Sequence, residues 1–164
     1  MSKGINDYIN GYKVQLEKGD IQIAYEWLLK YMSVLKSHFA KGLFHEYNFG
    51  NVSPGYMDYT YFSFFDDYLR SEKLRFGIVL NHQKMRFELW LMGQNADVQK
   101  EYWELLKETE WNKGRTVMPR YSVLEVVIME SPNFDDAKVL SVGIEKAAKN
   151  AVERIMLFMH EKHV

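Results

Sequence analysis

Residues 73–92 read KLRFGIVLNHQKMRFELWLM, and how this stretch folds back on itself decides the architecture. Lys73 to Asn81 and Lys84 to Met92 are two β-forming runs either side of His82-Gln83. With a turn at those two residues, Leu80 pairs with Met85, Ile78 with Phe87, Phe76 with Leu89 and Leu74 with Leu91, all on one face. Val79/Arg86, Gly77/Glu88, Arg75/Trp90 and Lys73/Met92 then share the other. A one-residue slip would turn one strand inside out, so a coherent apolar face supports a hairpin. His82-Gln83 is not the Asn-Gly type that two-residue turns favour, and a four-residue loop is the alternative.

Outward from the hairpin, Tyr56 to Phe65 is almost wholly aromatic or β-branched and predicts a strand before it. Tyr121 to Glu130 predicts another after it. Ile5, Tyr8, Ile9, Tyr12 and Leu16 recur at helical spacing, as do Ile21, Ala24, Leu28, Met32 and Leu35. Gly19-Asp20 separates the two patterns, with Gly ending one helix and Asp placed to cap the next. A third helix is expected from Asn95 to about Glu110, with Val98, Tyr102, Leu105 and Leu106 inward. A fourth runs from about Asp135 to Glu161 on Leu140, Ile144, Ala148, Ala151, Ile155 and Phe158. The predicted order is ααβββαβα. It amounts to one α+β domain over residues 1–164: a single sheet of a three-strand antiparallel meander and a fourth strand, helices mainly on one face.

Composition narrows the chemistry. The 164 residues include 21 basic and 22 acidic side chains, a net charge of −1, which is not the footprint of a general nucleic-acid binder. Cys is absent, so thiol catalysis, Fe–S clusters and Cys-type zinc sites are excluded. No apolar run reaches membrane-spanning length and no secretory signal opens the chain, so a cytoplasmic protein without membrane association is expected. Gly-rich phosphate loops, nucleophile elbows and H-E-x-x-H helices are missing too. No cofactor and no metal are expected. His160-x-x-His163 has a ligand-like spacing, but a pair near a helix end reads more simply as surface.

Gly55-Tyr56-Met57-Asp58-Tyr59-Thr60-Tyr61-Phe62-Ser63-Phe64 and the run Phe76 to Leu91 resemble two signatures of a family of uncharacterised bacterial proteins, a domain-of-unknown-function family. Gln99-Lys100-Glu101-Tyr102-Trp103 and Trp111-Asn112-Lys113 fit it as well. The resemblance spans nearly the whole chain. It implies a bacterial single-domain protein, and it carries no activity and no catalytic residue across.

The candidate site therefore comes from the residues alone. Arg75, Arg86, Glu88 and Trp90 share the polar face of the hairpin, with Arg75 opposite Trp90, where a guanidinium can lie on an indole. Glu88, diagonal to Arg75, can form an ion pair with it. Asp58 is a carboxylate inside an aromatic strand and needs a partner. Glu125 reads as a salt-bridged structural acid. A solvated sheet face held by cross-strand pairs is the plain reading of these groups; a polar ligand site is the functional one.

One enzyme alternative follows from the order of elements, which resembles that of the PD-(D/E)xK nucleases. Those bind Mg²⁺ between two acids, with a Lys two residues after the second. Here Asp58 and Glu88 would be the acids, and Trp90 stands where Lys is required, with Lys84 too far along the strand to replace it. The expectation is a binding or interaction module for a small polar ligand or protein partner rather than an enzyme. A degenerate nuclease relative and a structural homo-oligomer are the alternatives.

Overall fold

The computed structural model describes residues 2–162. Its centre is an antiparallel meander of five strands in chain order, β1 (Asn48–Phe49), β2 (Tyr59–Phe65), β3 (Leu74–Asn81), β4 (Arg86–Gly93) and β5 (Leu124–Met129). Five helices accompany it: α1 (Ile5–Lys18), α2 (Asp20–Lys41), α3 (Asp67–Ser71), α4 (Ala96–Leu106) and α5 (Ala137–Lys162), with a 3-10 turn at Glu110–Asn112. The α+β class and the single sheet are as the sequence predicts. The order differs by two short elements: β1, at the edge beyond β2, and α3, a five-residue helix between β2 and β3. Asp66 starts α3 by accepting from the Leu69 N–H at 2.8 Å, a local cap that hydrophobic periodicity does not reveal.

The hairpin holds its faces and changes its register. Leu80 pairs with Phe87, Ile78 with Leu89, Phe76 with Leu91, and Leu74 with Gly93. Each partner is two residues beyond the predicted one, because the loop is the four-residue His82–Met85. A shift of two preserves the alternation of the pleat, so the apolar faces stay matched. Met85 is the exception. It sits in the loop at φ 48°, exposed, rather than opposite Leu80 in the core. Lys84 likewise lies in the loop, its N–H donating to Asn81 Oδ1 at 3.1 Å.

The inner face of the sheet, with Phe62, Phe64, Phe76, Ile78, Phe87 and Leu89, is fully buried in one cluster with residues of α2, α3, α4 and α5. Burying each such side chain contributes about 1.5–3 kcal/mol, so this layer dominates stability. Polar contacts stitch α2 to α5 at its back. Tyr31 Oη meets Ser141 Oγ at 2.9 Å, and buried Glu145 accepts from the Leu43 N–H at 2.9 Å and meets His38 Nε2 at 3.1 Å. Asn95 caps α4 as expected, accepting from the Val98 N–H. Asp20 makes no cap: Gly19, in the left-handed region at φ 82°, occupies that position.

Candidate functional site

The outer face of the sheet is different. Val79, Trp90 and Met92 form a small second cluster there, flanked by Tyr59 and Tyr61, with no helix in the group. Gly77 sits opposite Trp90, and a Cβ on it would lie 2.6 Å from Met92 Cε; its hydrogen leaves room for the side chains that build this surface. Trp90 is buried, 4% exposed, its ring edge-on to Tyr59 at 4.9 Å between centroids.

Below the indole lies a knot of polar contacts. Glu88, buried, accepts from Trp90 Nε1 at 2.8 Å, from Arg86 Nε at 2.8 Å and from Asn81 Nδ2 at 3.0 Å. Arg86 also reaches Glu130 at 3.5 Å. Glu88 is thus occupied by its own strand pair. The ion pair expected between Arg75 and Glu88 does not form, since Glu88 faces Val79 and Arg75 faces Met92. Nor does Arg75 stand opposite Trp90. The two-residue register change moves both partners.

Arg75 and Trp90 nevertheless line one hollow of about 290 Å³ with Asp58, Tyr59, Tyr61, Met92 and Tyr121. A second hollow, of about 350 Å³, shares Asp58, Tyr59, Trp90 and Tyr121 and adds Arg115, Arg120, Pro119 and Glu125. The segment between the 3-10 turn and β5 supplies this second wall. Arg120 lies over the Tyr121 ring at 5.1 Å, and Arg115 reaches Glu125 at 3.2 Å. Among the described residues neither Arg75 nor Arg120 has a carboxylate partner.

The acids are held in distinct ways. Asp58 accepts from the backbone N–H groups of Tyr56 at 2.8 Å and Tyr59 at 2.7 Å, which keep its carboxyl below the usual range. Burial raises the Glu125 carboxyl, against the lowering effect of Ser122 and Arg115. Burial also raises the Tyr59 phenol, helped by the negative charge of Glu125, Glu88 and Asp58. Asp58 and Glu88 share no hydrogen-bond partner, and no group of three acids or histidines among the described residues could hold a metal ion. Trp90, Arg86 and Asn81 already take both Glu88 oxygens, and two backbone N–H groups hold Asp58. His160 packs on the Tyr68 ring at 4.3 Å, while His163 lies outside the described residues.

A family described as a domain of unknown function, DUF7000, matches residues 5–159. The chain belongs to this family. No curated protein and no solved structure matches it. The match covers both aromatic signatures and all five strands of the DUF7000 chain, and it assigns none of their residues a role. No helix among the described residues is long and apolar enough to cross a membrane.

Of the residues expected at the site, Arg75, Trp90 and Asp58 line the hollows of this DUF7000 protein. Arg86 and Glu88 support them from beneath. Tyr59, on the aromatic strand, joins them, and the residues that sequence reasoning missed are Tyr121, Arg115 and Arg120. These three follow β4 at a distance in the chain, and no spacing rule links them to it.

Proposed function

We propose that this DUF7000 protein is a binding module whose outer sheet face takes a small aromatic anion. The observation that carries the reading is the convergence of Tyr59, Trp90 and Tyr121 with Arg75, Arg115 and Arg120 around two adjoining hollows. Aromatic rings supply flat apolar contact, and a guanidinium supplies planar donors for a carboxylate or phosphate. Among the described residues Arg75 and Arg120 have no carboxylate partner, so an anion taken up by either displaces no existing ion pair. The volumes suit a ligand of one or two rings. Strands β2, β3 and β4 hold Tyr59, Arg75 and Trp90, which a rigid sheet keeps in position without the ligand, and the segment before β5 carries Arg115, Arg120 and Tyr121.

The acids at the site are engaged in structure, which favours binding over turnover. Asp58 is tied to two backbone N–H groups, Glu88 to three donors and Glu125 to Arg115 and Ser122. A cytoplasmic setting, as expected from the sequence, accords with a small anionic ligand.

A thermal-shift panel of benzoate, indole-3-carboxylate, adenosine monophosphate, acetate and inorganic phosphate tests the proposal. A ligand at 100 times its dissociation constant adds about 2.7 kcal/mol, roughly 5–10 °C for a domain of this size. The aromatic anions should raise the midpoint and the ring-free ones much less. Arg75→Ala should abolish the rise while leaving the unliganded midpoint close to the parent's. A panel in which no aromatic anion moves the midpoint would reject the proposal.

A further inference from the structure

The N-terminal helix has no core. None of the residues of α1 is buried, and its predicted apolar stripe faces outward: Ile5 is 72%, Tyr8 60%, Ile9 56% and Tyr12 63% exposed. A helix of 14 residues is marginal in water even with good helix formers, and this one carries Asn6, Asn10 and Gly11. The apolar stripe needs a surface to lie on.

A matching surface exists on the same chain. Ile23, Trp27 and Leu28 of α2, with Met85, Phe134 and Ala137, line an apolar groove of about 670 Å³. Helix α1 cannot reach its own groove. An antiparallel helix pair needs a connection of two to five residues, and α1 is joined to α2 by Gly19 alone. The stripe and the groove are therefore complementary but cannot meet within one molecule.

We infer that two copies of the chain exchange their α1 helices, the apolar stripe of each lying in the groove of the other about a two-fold axis. A closed, isologous pair covers both surfaces of both copies at once, as exchanged elements do. The area is sufficient. Ile5, Tyr8, Ile9, Tyr12, Ile23 and Trp27 together expose on the order of 700 Å², close to the ~800 Å² that each partner gives a standard interface. The charges on α1 and its flank, Lys3, Asp7, Lys13, Glu17 and Lys18, are of both signs. A helix lying on a membrane surface carries a polar face rich in Lys and Arg instead, so the stripe fits protein better than lipid.

Sedimentation equilibrium on the full chain at micromolar concentration tests this exchange. The wild type should give twice the 19.5 kDa chain mass. Ile9→Asp on the stripe and Ile23→Asp in the groove both alter exposed side chains, so each should fold and sediment as a single chain. Leu157→Asp, at an exposed position on α5 outside both surfaces, should stay at the double mass. Mixing the Ile9→Asp and Ile23→Asp proteins should restore a heterodimer, because one stripe-and-groove pair remains intact. A wild type of single-chain mass would overturn the inference. So would a double mass that survives both stripe and groove substitutions, or a mixture of two monomeric variants that forms no heterodimer.

Discussion

The Trp90 indole N–H donates to Glu88 Oε1 at 2.8 Å, from two residues further along β4. Both side chains project from the outer face of the sheet, and the bond fixes the indole edge while Tyr59 meets the ring. Arg86 and Asn81 hold the other carboxylate oxygen, so the acid that looked like a candidate ligand group is the brace for an aromatic one.

Removing that brace should be costly. Glu88→Ala leaves a buried amide, a buried indole N–H and a partly buried guanidinium without their acceptor, and should destabilise by about 2–3 kcal/mol. Glu88→Gln keeps an acceptor and should cost about 1 kcal/mol. Urea unfolding measures both. A Glu88→Ala protein as stable as the parent would mean the three bonds contribute nothing net.

Register is checked by a pair of truncations on the hairpin. Phe87 is fully buried opposite Leu80, so Phe87→Ala should cost about 3–5 kcal/mol. Met85, which lies exposed in the loop, should tolerate Ala within about 0.5 kcal/mol. The register with Met85 opposite Leu80 requires both changes to be costly.

His82 should make stability depend on pH. Its Nε2 lies 2.7 Å from Thr60 Oγ1, whose own hydrogen goes to the Pro54 carbonyl, so the ring donates to Thr60 through Nε2. Burial lowers its proton affinity in the fold, partly offset by the Asp58 charge. The unfolded chain therefore takes up the proton first. Stability should fall as pH drops below about 6.5 and level off once the folded ring is also protonated. His82→Gln should flatten that limb in urea melts taken between neutral and acid pH.

Glu125 should show the opposite sign. Its carboxyl is raised in the fold, chiefly by burial, so the unfolded chain loses the proton first and stability declines as pH rises above about 4.5. Glu125→Gln should remove this limb of the profile. A profile unchanged by the substitution would show that Arg115 and Ser122 fully compensate the burial.

The pleat explains how much of the fold was legible. Alternation assigned Phe76, Ile78, Phe87 and Leu89 to the core correctly while the register was wrong by two, because a shift of two leaves every face unchanged. The error sat in the loop, where Met85 adopts a left-handed backbone without the Gly or Asn that signals one. Arg75 and Trp90 were readable as neighbours on one face, though not opposite one another. Tyr121, Arg115 and Arg120 were not readable at the site at all, since they reach it on an irregular segment. The stripe of α1 was legible as a helix face, but periodicity tells which residues share a face and not what covers it.

The proposed site is tested most directly by the indole N–H signals of the four tryptophans in a ¹H–¹⁵N spectrum, with Trp90 assigned by Trp90→Phe. Trp90 lies on the outer sheet face and Trp27 on α2, on the opposite side of the sheet. Titration with indole-3-carboxylate, benzoate and adenosine monophosphate should move the Trp90 signal saturably with at least one of them, leave Trp27 in place, and lose the effect in Arg75→Ala. A Trp90 signal that stays still with every one of these anions, or moves no more than that of Trp27, would contradict the account.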